Sequence, residues 1–461
     1  MIDFIIDHLS LIMFFVLAFV LFCGYPVAFV LGGVGLGFGV VGMFFDVFNA
    51  VQFFNILPRI FGSVAANQVL VAVPMFIFMG TMLERTGVAD DLLHCFQVLL
   101  RRVPGGLAMS VTLMGTIMAA STGIVGASVV MLTLIALPAM LSRGYNKELA
   151  VGTIASAGTL GILIPPSIML VIMGDLLQVP VGALFAASTM PGLALSLLYM
   201  AFILIISFLM PHLAPPLPAD IGPKTALEFW AMIGKSFVPP TFLIFMVLGS
   251  IFFGFATPTE AAGVGSLGAL IIAAAKGRLQ LKILQEVLES AALTNGMVFF
   301  IFFGATVFSY VFRALGGDHL VVELLARMGI NSGWEVLTFL MVLVFLLGFF
   351  FDWIEICLIV LPIFTPILQK VDFGDYIGSE KRAFLTWFAV LCATNLQTAF
   401  LTPPFGFTLF YMKGTVPPEV TMGHIYRGII PFVLLQLSGL ALVMLFPSLA
   451  LWLPRWMGVL D

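Results

Sequence analysis

The chain has 461 residues, of which 61% are hydrophobic and only 9% charged, with a net charge of −4. A soluble domain carries about 25% charged residues, so a mean hydropathy of +1.18 excludes a cytosolic globular protein. At ~20 apolar residues per span, the length leaves room for roughly ten to thirteen membrane segments and no large soluble domain.

In chain order, apolar helices are expected at about 9–24 and 27–46, the second opened by Tyr25-Pro26. The first reads as a membrane helix and not a removed signal, because apolar sequence continues past it without a clear small-residue cleavage motif. A partly buried segment leads to a helix near 70–83. Residues 88–102 set Val88, Leu92, Leu93, Phe96, Leu99 and Leu100 against Asp90, Asp91, Gln97 and Arg101, the pattern of a helix lying along the membrane interface. Two short arms, about 105–120 and 129–141, flank Ser121-Thr-Gly-Ile-Val-Gly-Ala-Ser128; they read as a re-entrant hairpin, 105–141, with this segment at its tip. The next stretch, 149–175, is broken by Gly161-Ile-Leu-Ile-Pro-Pro-Ser167, because each proline removes a backbone donor and clashes with the preceding turn. A long helix up to Met210 closes the first half. A linker, 211–235, opens Pro-rich. The second half then repeats the plan, with a hairpin at 335–368 whose tip is 348–352, and a helix at 383–413 broken by Ala399-Phe-Leu-Thr-Pro-Pro-Phe405.

An internal offset supports this division. Phe76-Ile-Phe-Met-Gly80 aligns with Phe300-Ile-Phe-Phe-Gly304, and Leu134-Ile-Ala-Leu-Pro138 with Leu358-Ile-Val-Leu-Pro362, both at a shift of 224. Pro165 and Pro403 differ by 238; the additional residues fall in the polar stretch 369–382. The repeats are expected at 1–210 and 236–461, in inverted orientation. With the first hairpin opening to the cytoplasm, 12 Lys and Arg residues face inside and 7 outside, which the positive-inside rule favours. This orientation predicts an external N-terminus.

Freed backbone survives at membrane depth only where protein buries it or it lines a polar cavity, and paired breaks in two halves point to a transporter's binding site. The groups at the breaks suit sodium, which favours several neutral oxygens with at most one carboxylate. The expected ligands are Ser121, Thr122, Gly123, Gly126, Ser128, Thr159, Gly161 and the carbonyls at Pro165 in the first half, and Asp352, Asn395, Gln397, Thr398 and Thr402 in the second. Pro166, Ser167, Pro404 and Glu355 are expected to face the substrate. Asp352 and Glu355 stand in an apolar run, where a charge is costly and signals function. The alternative for the Ser and Gly runs is close helix packing; for Glu260 it is a helix-start acid. Neither break carries a cationic side chain, so bound cations are expected to neutralise an anionic substrate. The four cysteines read as small core residues. No GxxxxGK[ST] loop, HExxH or CxxC occurs, and no enzyme, metal centre beyond sodium, organic cofactor or nucleic-acid partner is expected.

At Ser121-Thr-Gly-Ile-Val-Gly-Ala-Ser128, Leu137-Pro-Ala-Met-Leu141, Arg143-Gly-Tyr145, Gly158-Thr-Leu-Gly161, Ile164-Pro-Pro-Ser167, Ala256-Thr-Pro-Thr-Glu-Ala-Ala262 and Thr402-Pro-Pro-Phe405, the chain resembles the large membrane subunit of tripartite ATP-independent periplasmic (TRAP) transporters. The resemblance implies an all-α polytopic membrane protein of the elevator-type ion-transporter superfamily, with an inverted repeat, two re-entrant helical hairpins and two broken helices. It implies sodium-coupled uptake, with two or more sodium ions, of an organic acid delivered by a periplasmic binding protein. It also implies a separate small membrane subunit and a place in the bacterial inner membrane. The tip Phe350-Phe-Asp-Trp-Ile-Glu355 is bulkier and more acidic than expected for sialate or C4-dicarboxylate carriers. The rival readings are a stand-alone sodium–carboxylate symporter of the same fold and, more distantly, a passive channel.

Overall fold

Helix ends fall where prolines and left-handed glycines put them. The structure, a computed structural model, describes residues 8–122, 125–218, 222–223, 225–330, 332–371, 373, 376–377, 380–403 and 406–460. Leu9–Phe22 and Val27–Phe44 are joined through Gly24, at φ +83°, and Pro26. Two short helices, Ala50–Phe54 and Ile56–Ile60, and a π-helical turn, Phe61–Ala65, lead to Ala72–Arg85. The amphipathic segment folds as Val88–Leu99, with Val88, Leu92, Leu93 and Phe96 buried; Asp91 on its polar face pairs with Lys276.

The first hairpin consists of Gly106–Thr122 and Val125–Ser142. Its second arm starts earlier than expected, so Gly126 and Ser128 belong to that helix and not to an open tip. The reason is packing: Val-Gly-Ala-Ser contains no proline, and a Cβ on Gly126 would meet the Tyr411 ring at 2.9 Å, so a small residue lets the two segments touch. The first broken helix is Lys147–Thr159, a 3₁₀ turn Leu160–Ile162, the Pro165–Pro166 break and Ile168–Leu177, followed by Val181–Leu209. The stretch 211–235 is not wholly a linker: it runs into the surface helix Ala226–Ser236, capped by Thr225.

The second half brings Val238–Phe252, Pro258–Ala275, the long helix Leu281–Ala314 and the amphipathic Gly317–Arg327. The second hairpin is Gly333–Leu347 with Trp353–Leu368, and the second broken helix is Lys381–Leu401 with Phe407–Lys413. Met422–Leu445 and Ser448–Trp456 close the chain. Glu260 is a helix-start acid: its Oε2 accepts from the Thr257 N–H at 2.7 Å, and Thr257 Oγ1 accepts in turn from the Glu260 N–H, a capping box.

The described residues contain no strand. Among them, eight helices are long and apolar enough to cross a membrane, and the shorter apolar helices include three of the four hairpin arms. The scaffold is built by exchange between halves. Val27–Phe44 packs on Leu281–Ala314, and Ala72–Arg85 packs on Pro258–Ala275. Close approach explains Gly35, where a Cβ would stand 2.9 Å from Val307. The first pieces of the broken helices are buried inside the fold; every residue from 383 to 401 is buried, whereas Phe410, Tyr411 and Lys413 beyond the second break are exposed. Cys95, Cys357 and Cys392 are buried and unbridged, and Cys23 is exposed.

Candidate functional site

Both hairpins aim the N-terminus of their second arm at one cavity of about 590 Å³. Val125, Gly126 and Ala127 reach it from the first hairpin, and Asp352, Trp353, Ile354 and Glu355 from the second. Ile168, Phe400 and Tyr411 come from the broken helices. The opposite wall is scaffold: Ile77, Thr81, Glu84 and Arg85 on one helix, and Ser290, Thr294, Met297 and Val298 on another. The cavity therefore lies on the seam between the hairpin-bearing unit and the scaffold. The helix starts that reach it bring the positive ends of their dipoles, which favour an anion.

The two acids at the second tip have a structural partner in each other. Asp352 caps Trp353–Leu368, its Oδ1 accepting from the Trp353 N–H at 2.9 Å, while Glu355 accepts from the Asp352 N–H at 3.3 Å. This reciprocal capping places both carboxylates at the cavity wall and offsets the positive end of that helix. The first hairpin has no such acid. Arg85, across the cavity, supplies a cation that the breaks themselves lack; it lies 3.7 Å from Glu286, and both side chains are about half exposed.

Behind the cavity the two broken helices meet in a buried polar cluster. Thr159 Oγ1 donates to the Ser156 carbonyl at 2.9 Å and accepts from Gln397 Nε2 at 3.3 Å and from Gln436 Nε2 at 3.4 Å. The Oε1 atoms of Gln397 and Gln436 are buried without a donor. Tyr199 faces Gln436 from Val181–Leu209. Unpaired buried carbonyls are costly; both amides turn Nε2 to the Thr159 hydroxyl, and a flip of each amide would bring the oxygens to it instead, the neutral donor set that a small hard cation takes.

The remaining expected residues are distributed around these two features. Asn395 is buried and donates Nδ2 to the Met341 carbonyl at 2.7 Å, tying the second broken helix to the second hairpin. Thr398 and Thr402 donate to carbonyls one turn back, at 3.4 and 2.8 Å, which leaves their lone pairs free to accept. Ser167 Oγ donates to the Ile162 carbonyl at 2.7 Å, bridging the first break. Gly161, Pro165 and Pro166 are buried in that break, and Ser128 is buried in the first hairpin. Glu355 lines the cavity, whereas Pro166 and Ser167 precede Ile168, which does. Gly123 and Pro404 lie outside the described residues, as do the side chains of Ser121 and Thr122. Sequence reasoning missed Arg85, Tyr411 and Gln436. Gln436 had a signal: it is an isolated amide in the apolar run Val433-Leu-Leu-Gln-Leu437.

Comparison with known proteins agrees with this architecture. A family model for the DctM component of the tripartite ATP-independent periplasmic transporter matches residues 11–449. The chain is 29% identical over 395 residues to the C4-dicarboxylate TRAP transporter large permease protein DctM of Pseudomonas aeruginosa, covering 85% of this chain and 88% of that one. It is 26% identical over 436 residues to the sialic acid TRAP transporter large permease protein SiaM of Vibrio cholerae, covering 94% and 96%. In fold it is similar to the crystal structure of the Alcanivorax borkumensis YdaH transporter, with a TM-score of 0.57 at 15% identity and 88% of each chain covered. These relatives are transporter permeases and not enzymes, and the chain is a multi-pass protein of the bacterial inner membrane that belongs to the DctM family of TRAP transporter large permeases.

Proposed function

We propose that this permease carries an organic acid inward by sodium-coupled, elevator-type alternating access. The observation that supports this is the cavity shared by both hairpin tips and two scaffold helices: a site carried by one unit and walled by another changes its exposure when the units slide. The acid is an anion, in keeping with relatives named for C4-dicarboxylates and sialic acid. A periplasmic binding protein delivers it, and a small membrane subunit completes the complex; the word tripartite in the family description is in keeping with two such partners.

In this reading the anion rests against the start of Val125–Ser142 and faces Arg85. Sodium enters as co-substrate at the oxygen-rich positions: Thr159 with Gln397 and Gln436 on one side, and the Asp352 tip with Thr398 and Thr402 on the other. Loading both partners lowers the net charge that the moving unit takes through the membrane, and this couples uptake to the gradient. The test is uptake into proteoliposomes holding this chain and its small subunit, with binding protein outside. Sodium-dependent uptake is expected. Equal uptake with potassium in place of sodium overturns the coupling, and full uptake without binding protein makes the chain a stand-alone symporter.

A further inference from the structure

The helix Leu281–Ala314 borders two separate cavities. Ser290, Thr294, Met297 and Val298 face the one described above. Farther along, Thr306, Ser309, Tyr310 and Arg313 face a second, of about 400 Å³. At 1.5 Å per residue, Thr294 and Ser309 stand about 22 Å apart along the helix axis. The other walls run in the same order. On Trp353–Leu368 the first cavity takes Trp353 to Glu355 and the second takes Leu358 and Pro362; on Ile168–Leu177 the first takes Ile168 and the second takes Asp175 and Leu176. The two cavities are the opposite ends of one seam between the scaffold and the hairpin-bearing unit.

The second end is cationic. Arg59 and Arg313 both line it. The Tyr310 ring holds the Arg59 guanidinium, with Cζ 5.2 Å from its centroid. Arg313 Nη2 donates to the Pro362 carbonyl at 2.5 Å. That carbonyl is free because Pro366, one turn on, has no N–H to give it. Asp318 stands 4.0 Å from Arg313 Nε. Asp175, the lining carboxylate among the described residues, already accepts from Asn67 Nδ2 at 2.6 Å. Ser63 and Ser309 add hydroxyls. The two guanidinium forks outnumber the one lining carboxylate, which has its own donor in Asn67, and they suit a planar anion such as a carboxylate, which accepts two parallel N–H bonds.

We propose that this cavity is a second binding site for the carboxylate of the transported acid, at the end of the seam away from Arg85. The proposal rests on the transport reading above. Each end of the track then offers the anion a scaffold arginine, Arg85 at one and the Arg59–Arg313 pair at the other. The Arg313–Pro362 bond spans the seam, and sliding of the hairpin unit releases that guanidinium to the anion.

The test labels arginines of the full chain with phenylglyoxal in phosphatidylcholine nanodiscs, read by mass spectrometry, with the exposed Arg327 as internal reference. Succinate and N-acetylneuraminate are the probes, a small and a large carboxylate, because the proposed recognition is of the carboxylate and not of the rest of the acid. Labelling of Arg59 and Arg313 is expected to slow about tenfold at saturating probe, with Arg327 unchanged. Lack of protection by both probes overturns the proposal. So does protection that appears without probe when phosphatidylglycerol is added, because the site then holds a lipid phosphate. In proteoliposomes the Arg59→Ala, Arg313→Ala pair is expected to raise the external half-saturation for the acid about tenfold, and the Arg59→Lys, Arg313→Lys pair to recover part of it; an unchanged value again overturns the site. Absence of uptake by the unmodified complex would strike the transport reading and leave the labelling result standing.

Discussion

Gln397 donates Nε2 to Thr159 Oγ1 across 3.3 Å of space and 238 residues of sequence. The same 238 separates Pro165 from Pro403. Residues at equal positions of two broken helices touch each other where a two-fold relation between them has its axis, as self-contacts do in a symmetric dimer. The bond therefore supports reading the halves as one duplicated unit folded on itself, and it puts a candidate cation nest at the point of symmetry.

Gln397→Leu removes a hydrogen bond and an unpaired buried carbonyl together. The two changes oppose each other, so stability is expected to shift by no more than about 1 kcal/mol, measured by thermal unfolding in detergent. Sodium half-saturation for uptake is expected to rise about tenfold or more. A variant of normal stability and normal sodium response would remove Gln397 from the ligand set.

Asp352 caps a helix and lines the cavity, and two substitutions separate these roles. Asparagine is a good N-cap, so Asp352→Asn is expected to keep the fold and impair only the sodium response. Asp352→Ala also loses the cap, which costs about 1 kcal/mol. An unchanged sodium titration in Asp352→Asn would leave Asp352 with capping alone.

Gly126 is required by contact with an aromatic ring, not by its backbone angles. Gly126→Val drives a branched side chain into the Tyr411 ring, which a Cβ alone would approach to 2.9 Å, and is expected to abolish uptake. Gly126→Val with Tyr411→Ala is expected to restore part of it. Equal loss in the single and double variants would mean that the hairpin tip, and not the ring, sets the requirement.

Asn395→Leu leaves the Met341 carbonyl without its buried donor. The carbonyl keeps its helical N–H partner, so a loss of about 0.5–1.5 kcal/mol is expected, with the second hairpin loosened from its broken helix. Hydrogen exchange of Gly333–Leu347 reads this directly: faster exchange confined to that arm is the expected pattern, and unaltered exchange would show that the bond does not hold the hairpin.

The sequence-level plan was legible wherever breakers and periodicity spoke. Prolines 165 and 403 marked both broken helices, and the alternation of Leu92, Leu93 and Phe96 with Asp90 and Asp91 marked the helix Val88–Leu99. Contacts across the chain were not legible. Arg85 reads as a loop charge after an apolar helix, and only packing brings it opposite the hairpin tips. Gln436 lies outside both breaks, so no local pattern links it to Thr159. Gly126 and Ser128 read as tip residues because small residues serve turns and helix contacts equally well; the close approach of Gly126 to the Tyr411 ring and the burial of Ser128 decide between the two.

The helix Lys381–Leu401 has a bearing on biosynthesis. It contacts protein on every side and carries Thr394, Asn395, Gln397 and Thr398. Its mean hydropathy is 1.4, against 2.5 for Val181–Leu209. A nascent segment with four such groups has little affinity of its own for lipid when it leaves the ribosome. The hydroxyls of Thr394 and Thr398 bond within the helix itself, but the amides of Asn395 and Gln397 find their acceptors on the earlier-made helices Gly333–Leu347 and Lys147–Thr159. The order of synthesis thus provides the partners before the segment that needs them, and late insertion of this helix becomes a checkpoint on the assembly of everything before it.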